Sequence, residues 1–101
     1  MHIKSELLDS NCLVVFISGR LDTVSAAALE LELNRIVDGT VDIVLDLMEL
    51  DYISSSGLHV LLQTQKTMAA HDRKIIVRNV SEAVRDVFEM TGFMSLVTLE
   101  E

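Results

Sequence analysis

One run in the chain combines residue types and spacing that could do chemistry: Leu50-Asp51-Tyr52-Ile53-Ser54-Ser55-Ser56-Gly57-Leu58. Consecutive serines are poor inside a helix and good at its start, where a hydroxyl reaches backbone N–H groups that have no carbonyl partner. Gly57, in the first turn of such a helix, costs about 1 kcal/mol relative to alanine. That cost makes sense where another surface must come close to the backbone. A helix N-terminus also favours negative charge, by about 0.3–1 kcal/mol at exposed sites, and a phosphoserine brings about −1.5 to −2 charges. Placed on this turn, a phosphate would leave the fold intact and change the surface sharply, as a reversible binding switch requires. From spacing alone, plain capping is the commoner role for such serines.

Other chemistries find less support. His59 lies four residues after Ser55, on the same side of a helix, and suggests a Ser–His pair. There is no Gly-x-Ser-x-Gly elbow and no evident third member, so His59 reads as a surface histidine beside the serines. His2 and His71 are scattered, and paired His/Cys or His/Glu ligand spacing is missing, so no metal is expected. The single cysteine, Cys12, allows neither an internal disulfide nor a thiolate cluster and reads as a small apolar strand residue. No Gly-x-x-x-x-Gly-Lys loop is present. The chain is therefore not expected to be a kinase, and neither enzymatic activity nor a cofactor of its own is expected.

Composition narrows the partners. Eight Lys+Arg against 16 Asp+Glu leave a formal charge of −8. Nucleic acid and anionic lipid both need clustered cations and are not expected. No apolar stretch approaches the ~20 residues of a membrane span, and Met1-His2-Ile3-Lys4-Ser5 does not open a signal peptide, so a cytoplasmic location without membrane attachment is expected. At 101 residues, half of them hydrophobic, the chain suits a single domain over 1–101.

The elements that must position the serines can be read from periodicity and punctuation. Residues 3–8 form a mixed edge strand, Asp9-Ser10-Asn11 a turn, and residues 12–17 (CLVVFI) an apolar strand covered on both faces. Asp22 or Thr23 caps a helix to about Asp38, with Leu29, Leu33, Ile36 and Val37 on its inner face and Gly39 at its end. Residues 43–47 (IVLDL) are a central strand, and residues 48–54 a short connection into a helix over 55–70 whose inner stripe is Leu58, Leu61, Leu62 and Met68. A strand over 74–78 follows. Ser81 then caps a helix carrying Val84, Val87 and Phe88, Gly92 stops it, and a strand over 96–99 closes the chain. Met68, Met90 and Met94, with Phe88 and Phe93, are expected in the core, the alternative being an adaptable exposed surface. The class is α/β, in the order β-β-α-β-α-β-α-β: a mixed, mostly parallel sheet of about five strands with three to four helices, built through right-handed crossovers.

With these pieces in place, Gly19-Arg20-Leu21-Asp22, Ile43-Val44-Leu45-Asp46-Leu47 and the serine run resemble, in order and spacing, the STAS family. The likeness covers nearly all the chain, and Ser81 to Phe93 (SEAVRDVFEMTGF) is similar to the family's last helix. It is greatest to the stand-alone bacterial members, the anti-sigma factor antagonists. The resemblance implies a protein that binds an anti-sigma factor with serine kinase activity and so releases a sigma factor. That kinase phosphorylates a serine at the start of the second helix and ends binding, and a serine phosphatase restores it. The acceptor lies two residues before the glycine, which is Ser55 here; Ser56 matches a position that also accepts phosphate in some relatives. The partner-facing surface implied comprises Gly19, Arg20, Asp22, Ser54, Ser55, Ser56, Gly57, Leu58 and His59. Arg20 reads either as a solvated loop charge or as a contact for a kinase or phosphoserine. In one departure, Ser54 stands where the sporulation and stress-response antagonists have Asp. That leaves open weaker kinase recognition, an acceptor moved to a neighbour, or an unphosphorylated STAS scaffold or nucleotide-binding domain in a larger signalling or transport assembly.

Overall fold

The computed structural model describes residues 1–9 and 11–100. Its elements are β1 (His2–Asp9), β2 (Cys12–Leu21), α1 (Thr23–Ile36), β3 (Asp42–Asp46), β4 (Leu50–Ile53), α2 (Ser55–Ala70), β5 (Ile75–Arg78), α3 (Glu82–Thr91), a 3-10 turn (Phe93–Leu96) and β6 (Thr98–Glu100). The sheet runs β1-β2-β3-β5-β6, with β1 antiparallel to β2 and the remaining neighbours parallel. Part of the turn expected at Asp9-Ser10-Asn11 lies outside the described residues, at Ser10.

Alternation along the strands decides where the core sits. Val15 and Ile17 of β2, Ile43 and Leu45 of β3, and Ile75 and Val77 of β5 share one buried cluster with Leu29 and Leu33 of α1, Val60, Leu61 and Met68 of α2, and Val84 and Phe88 of α3. All three helices therefore pack on the same face of the sheet. On the other face Asp46 accepts hydrogen bonds from Arg78 Nε at 2.9 Å, Asn79 Nδ2 at 3.2 Å and the Met48 N–H at 3.1 Å. Burial pushes this carboxyl up, but its three donors, Arg78 foremost, outweigh burial and hold it below the ordinary carboxylate range.

The sixth strand is β4, which lies in the stretch expected to be a connection. β2 outlasts β3 as a partner. It pairs with β3 from Cys12 to Phe16, and with β4 from Gly19 to Leu21. Phe16 faces Asp46 and Gly19 faces Leu50, so the β3–β4 side carries one extra residue; Arg20 then faces Tyr52, so Asp51 is a second. Extra residues of this kind bend and twist a strand, and they re-aim the chain just before the serines. Gly19, at φ +92°, sits on this irregularity and donates its N–H to the Glu49 carbonyl at 2.8 Å.

Other details differ from expectation, beginning with β2, which runs on from the expected Ile17 to Leu21. α1 ends at Ile36 with Val37 as an extended C-cap, so Gly39 lies beyond the cap in the following turn. The inner face of α2 is Gly57, Val60, Leu61, Thr64 and Met68, while Leu58 and Leu62 flank it half-buried. At the C-terminal end, Phe93 folds back onto Phe88, edge to face at 4.9 Å, so residues 93–96 wind into a 3-10 turn and β6 begins at Thr98. Met90 is 85% exposed and lies outside the core.

Candidate functional site

β2 and β4 are parallel, so their C-terminal ends, and the helices that follow them, emerge at one edge of the sheet. Two helix N-termini meet there. Asp22 caps α1: its Oδ1 accepts the Ser25 N–H at 2.9 Å, while its own N–H donates to Ser25 Oγ at 2.9 Å, a reciprocal capping box. The Ser25 N–H, and then the Ser25 hydroxyl, hold the Asp22 carboxyl below its ordinary range. Ser25 Oγ also donates to the Arg20 carbonyl at 2.8 Å, tying the last residues of β2 to the first turn of α1.

The second N-terminus belongs to the serines, and each has a different environment. Ser54 is the N-cap of α2. Its Oγ accepts the Gly57 N–H at 3.1 Å and its N–H donates to the Leu21 carbonyl at 2.8 Å. Ser55, the first residue of the helix, is exposed, and its hydroxyl has no hydrogen-bond partner among the described residues. Ser56 is half-buried, its Oγ 3.5 Å from Thr23 Oγ1 of α1. Gly57 is buried: a Cβ there would stand 2.5 Å from Leu21 Cγ and 3.1 Å from the Leu21 carbonyl oxygen. The surface that comes close to this glycine is the chain's own β2.

Arg20 and His59 flank the serines. Arg20 lies within β2 and not in a loop; its guanidinium stacks 4.3 Å above the ring of Tyr52, its cross-strand neighbour. Such a contact is worth about 0.5–1 kcal/mol at an exposed site. Tyr52 escaped the sequence reading because the strand that carries it did. His59 is exposed and directs its Nε2 to Gln63 Nε2 at 3.4 Å, along its own helix. It forms no hydrogen bond to Ser55, so the Ser–His pair does not assemble. Thr23 and Glu30 of α1 and Ser55, Ser56 and His59 of α2 border a groove of about 470 Å³ between the two helices.

This arrangement can accept a covalent charge. Ser55 presents a free hydroxyl to solvent at the start of a 16-residue helix, beside the start of a second helix. Both dipoles and their first-turn N–H groups favour an anion there. No cluster of three or more His, Cys, Asp or Glu suited to a metal occurs among the described residues, nor does any helix long and apolar enough to cross a membrane.

A family model described as the STAS domain matches residues 7–101. A Bordetella bronchiseptica protein, BtrV, named as a candidate anti-sigma factor antagonist, is 39% identical over 97 residues, covering 95% of this chain and 83% of its own. The anti-sigma-B factor antagonist of Staphylococcus aureus is 32% identical over 88 residues, covering 86% of this chain and 82% of its own. The crystal structure of an anti-sigma factor antagonist from Mycobacterium paratuberculosis superposes with a TM-score of 0.86 at 28% identity, covering 97% of this chain and 83% of that one.

Proposed function

The chain belongs to the STAS family, and from that membership we propose that it is an anti-sigma factor antagonist switched off by phosphorylation at Ser55. It binds an anti-sigma factor with serine kinase activity, releases the sigma factor, and loses its hold once the kinase modifies Ser55. A serine phosphatase resets it, and the cycle runs in the cytoplasm. Relatives named anti-sigma factor antagonists support the class of activity.

The observation that carries the choice of acceptor is the division of labour among the three serines. Ser54 spends its hydroxyl on the cap, Ser56 turns toward Thr23, and Ser55 keeps its hydroxyl free in solvent. Ser56 is the alternative acceptor. Arg20, Asp22, Ser55, Ser56, Leu58 and His59 form the surface offered to the partner, while Gly19, Ser54 and Gly57 shape the backbone beneath it. Ser54 supplies with a hydroxyl the capping acceptor that an Asp at this position would supply with a carboxylate.

Incubation with the cognate serine kinase and ATP should add the mass of one phosphate to the wild-type chain and none to Ser55→Ala. Ser55→Ala should keep partner binding and Ser55→Asp should lose it. Equal binding by the two variants would rule out a switch at this residue.

A further inference from the structure

α1 is apolar on two opposite sides. Ala26, Leu29 and Leu33 face the core. Val24, Ala27, Ala28 and Leu31, spaced three, four and seven residues apart, fall on the opposite side. All four are exposed, Val24 at 84% and Leu31 at 76%. Nothing in the fold needs this outer stripe, since the helix already buries a full face. The stripe begins one residue after Thr23, whose hydroxyl lies 3.5 Å from that of Ser56, so it runs continuously away from the proposed switch.

Its rim selects what can cover it. Glu30 and Glu32 flank the stripe, Asp22 stands at its N-terminal end, and the one cation of the helix, Arg35, is already paired with Glu32. A second copy of this chain would set these carboxylates against their own equivalents, and an anionic membrane would meet the same repulsion. The complementary surface is an apolar patch edged with Lys or Arg.

We propose that the outer stripe of α1, centred on Val24 and Leu31, is a docking ridge for the anti-sigma factor, which seats an apolar patch with a basic rim on it while its catalytic site reaches Ser55. This rests on the function proposed above and names the surface that gives it affinity. The ridge holds the partner, and the charge state of Ser55 decides whether it stays.

The test is titration calorimetry of the full chain with its cognate anti-sigma factor serine kinase. Val24→Glu and Leu31→Glu should each weaken binding by about tenfold or more, as loss of an apolar anchor does. Val24→Ala and Leu31→Ala should weaken it less, in the same direction. Met90→Glu, at an equally exposed methionine on α3, should bind as wild type, and every variant should melt with it. Binding should fall with rising salt, less steeply in Glu30→Gln. Wild-type affinity in both glutamate variants, with Ser55→Asp still abolishing binding, would overturn the ridge and leave the switch standing. A wild-type dimer that Leu31→Glu turns into monomers, with kinase binding unchanged, would assign the stripe to a second copy and also overturn it. A wild-type chain that neither binds the kinase nor takes up phosphate would remove the proposed function and the ridge with it.

Discussion

Ser54 and Ser55 are chemically identical neighbours whose energetic roles are opposite. The Ser54 hydroxyl accepts the Gly57 N–H, one of the donors that a helix leaves unpaired at its start. Ser54→Ala should therefore destabilise the protein by about 1 kcal/mol, and Ser54→Asp should recover it, since either side chain can cap. The Ser55 hydroxyl forms no hydrogen bond among the described residues, so Ser55→Ala should shift stability by no more than about 0.5 kcal/mol. Urea denaturation of the three variants reads this directly. A large loss in Ser55→Ala would mean that its hydroxyl supports the fold and is not held in reserve for modification.

At the scale of elements, α2 and the end of β2 touch through Gly57. Alanine is the better helix former by about 1 kcal/mol, yet its Cβ would press to 2.5 Å from Leu21 Cγ, and Leu21 is fully buried and has nowhere to go. Gly57→Ala should lose about 1–3 kcal/mol of stability through overpacking, measured as a lower urea midpoint. A rise in the midpoint would show that the two elements have room to part. The sequence announced the glycine, a cap at Asp22 or Thr23, another among the three serines, the cap Ser81, and the apolar runs of β2, β3 and β5, because each rests on local chemistry or on a period the eye can follow. It hid β4. Leu50-Asp51-Tyr52-Ile53 buries only its two ends and follows neither alternation nor a continuous apolar run, since two irregularities in its pairing scramble the period. The partnerships that matter at the site, Arg20 with Tyr52 and Thr23 with Ser56, hang on that pairing and could not be read without it. The end of α1 was likewise misplaced, because its apolar spacing runs past Ile36 while the backbone turns extended at Val37.

The whole molecule is asymmetric, with three helices over one face of the sheet and a part-buried ion pair on the other. Asp46 there ties β3 to β5 through Arg78 and to the β3–β4 turn through the Met48 N–H. Because its folded-state pKa is depressed, the unfolded chain binds the proton more readily. The stability this group contributes is complete above the unfolded carboxylate value of about 3.9 and is lost as pH falls from there through the lower folded value. Asp46→Asn should cost on the order of 1–3 kcal/mol at pH 7. The wild-type and variant urea midpoints should converge as pH drops below about 4. Curves that stay parallel across that range would show that the carboxylate charge contributes nothing.

The start of the chain lies against Gly19, where an added Cβ would find the Met1 Cα only 3.2 Å away. Met1 thus lies beside the sheet edge that carries the serines, and β6, parallel to β2, ends at the same edge three strands across. An affinity tag joined ahead of Met1 would crowd that edge like a thumb over a keyhole, while one carried behind β6 would start three strands farther along it.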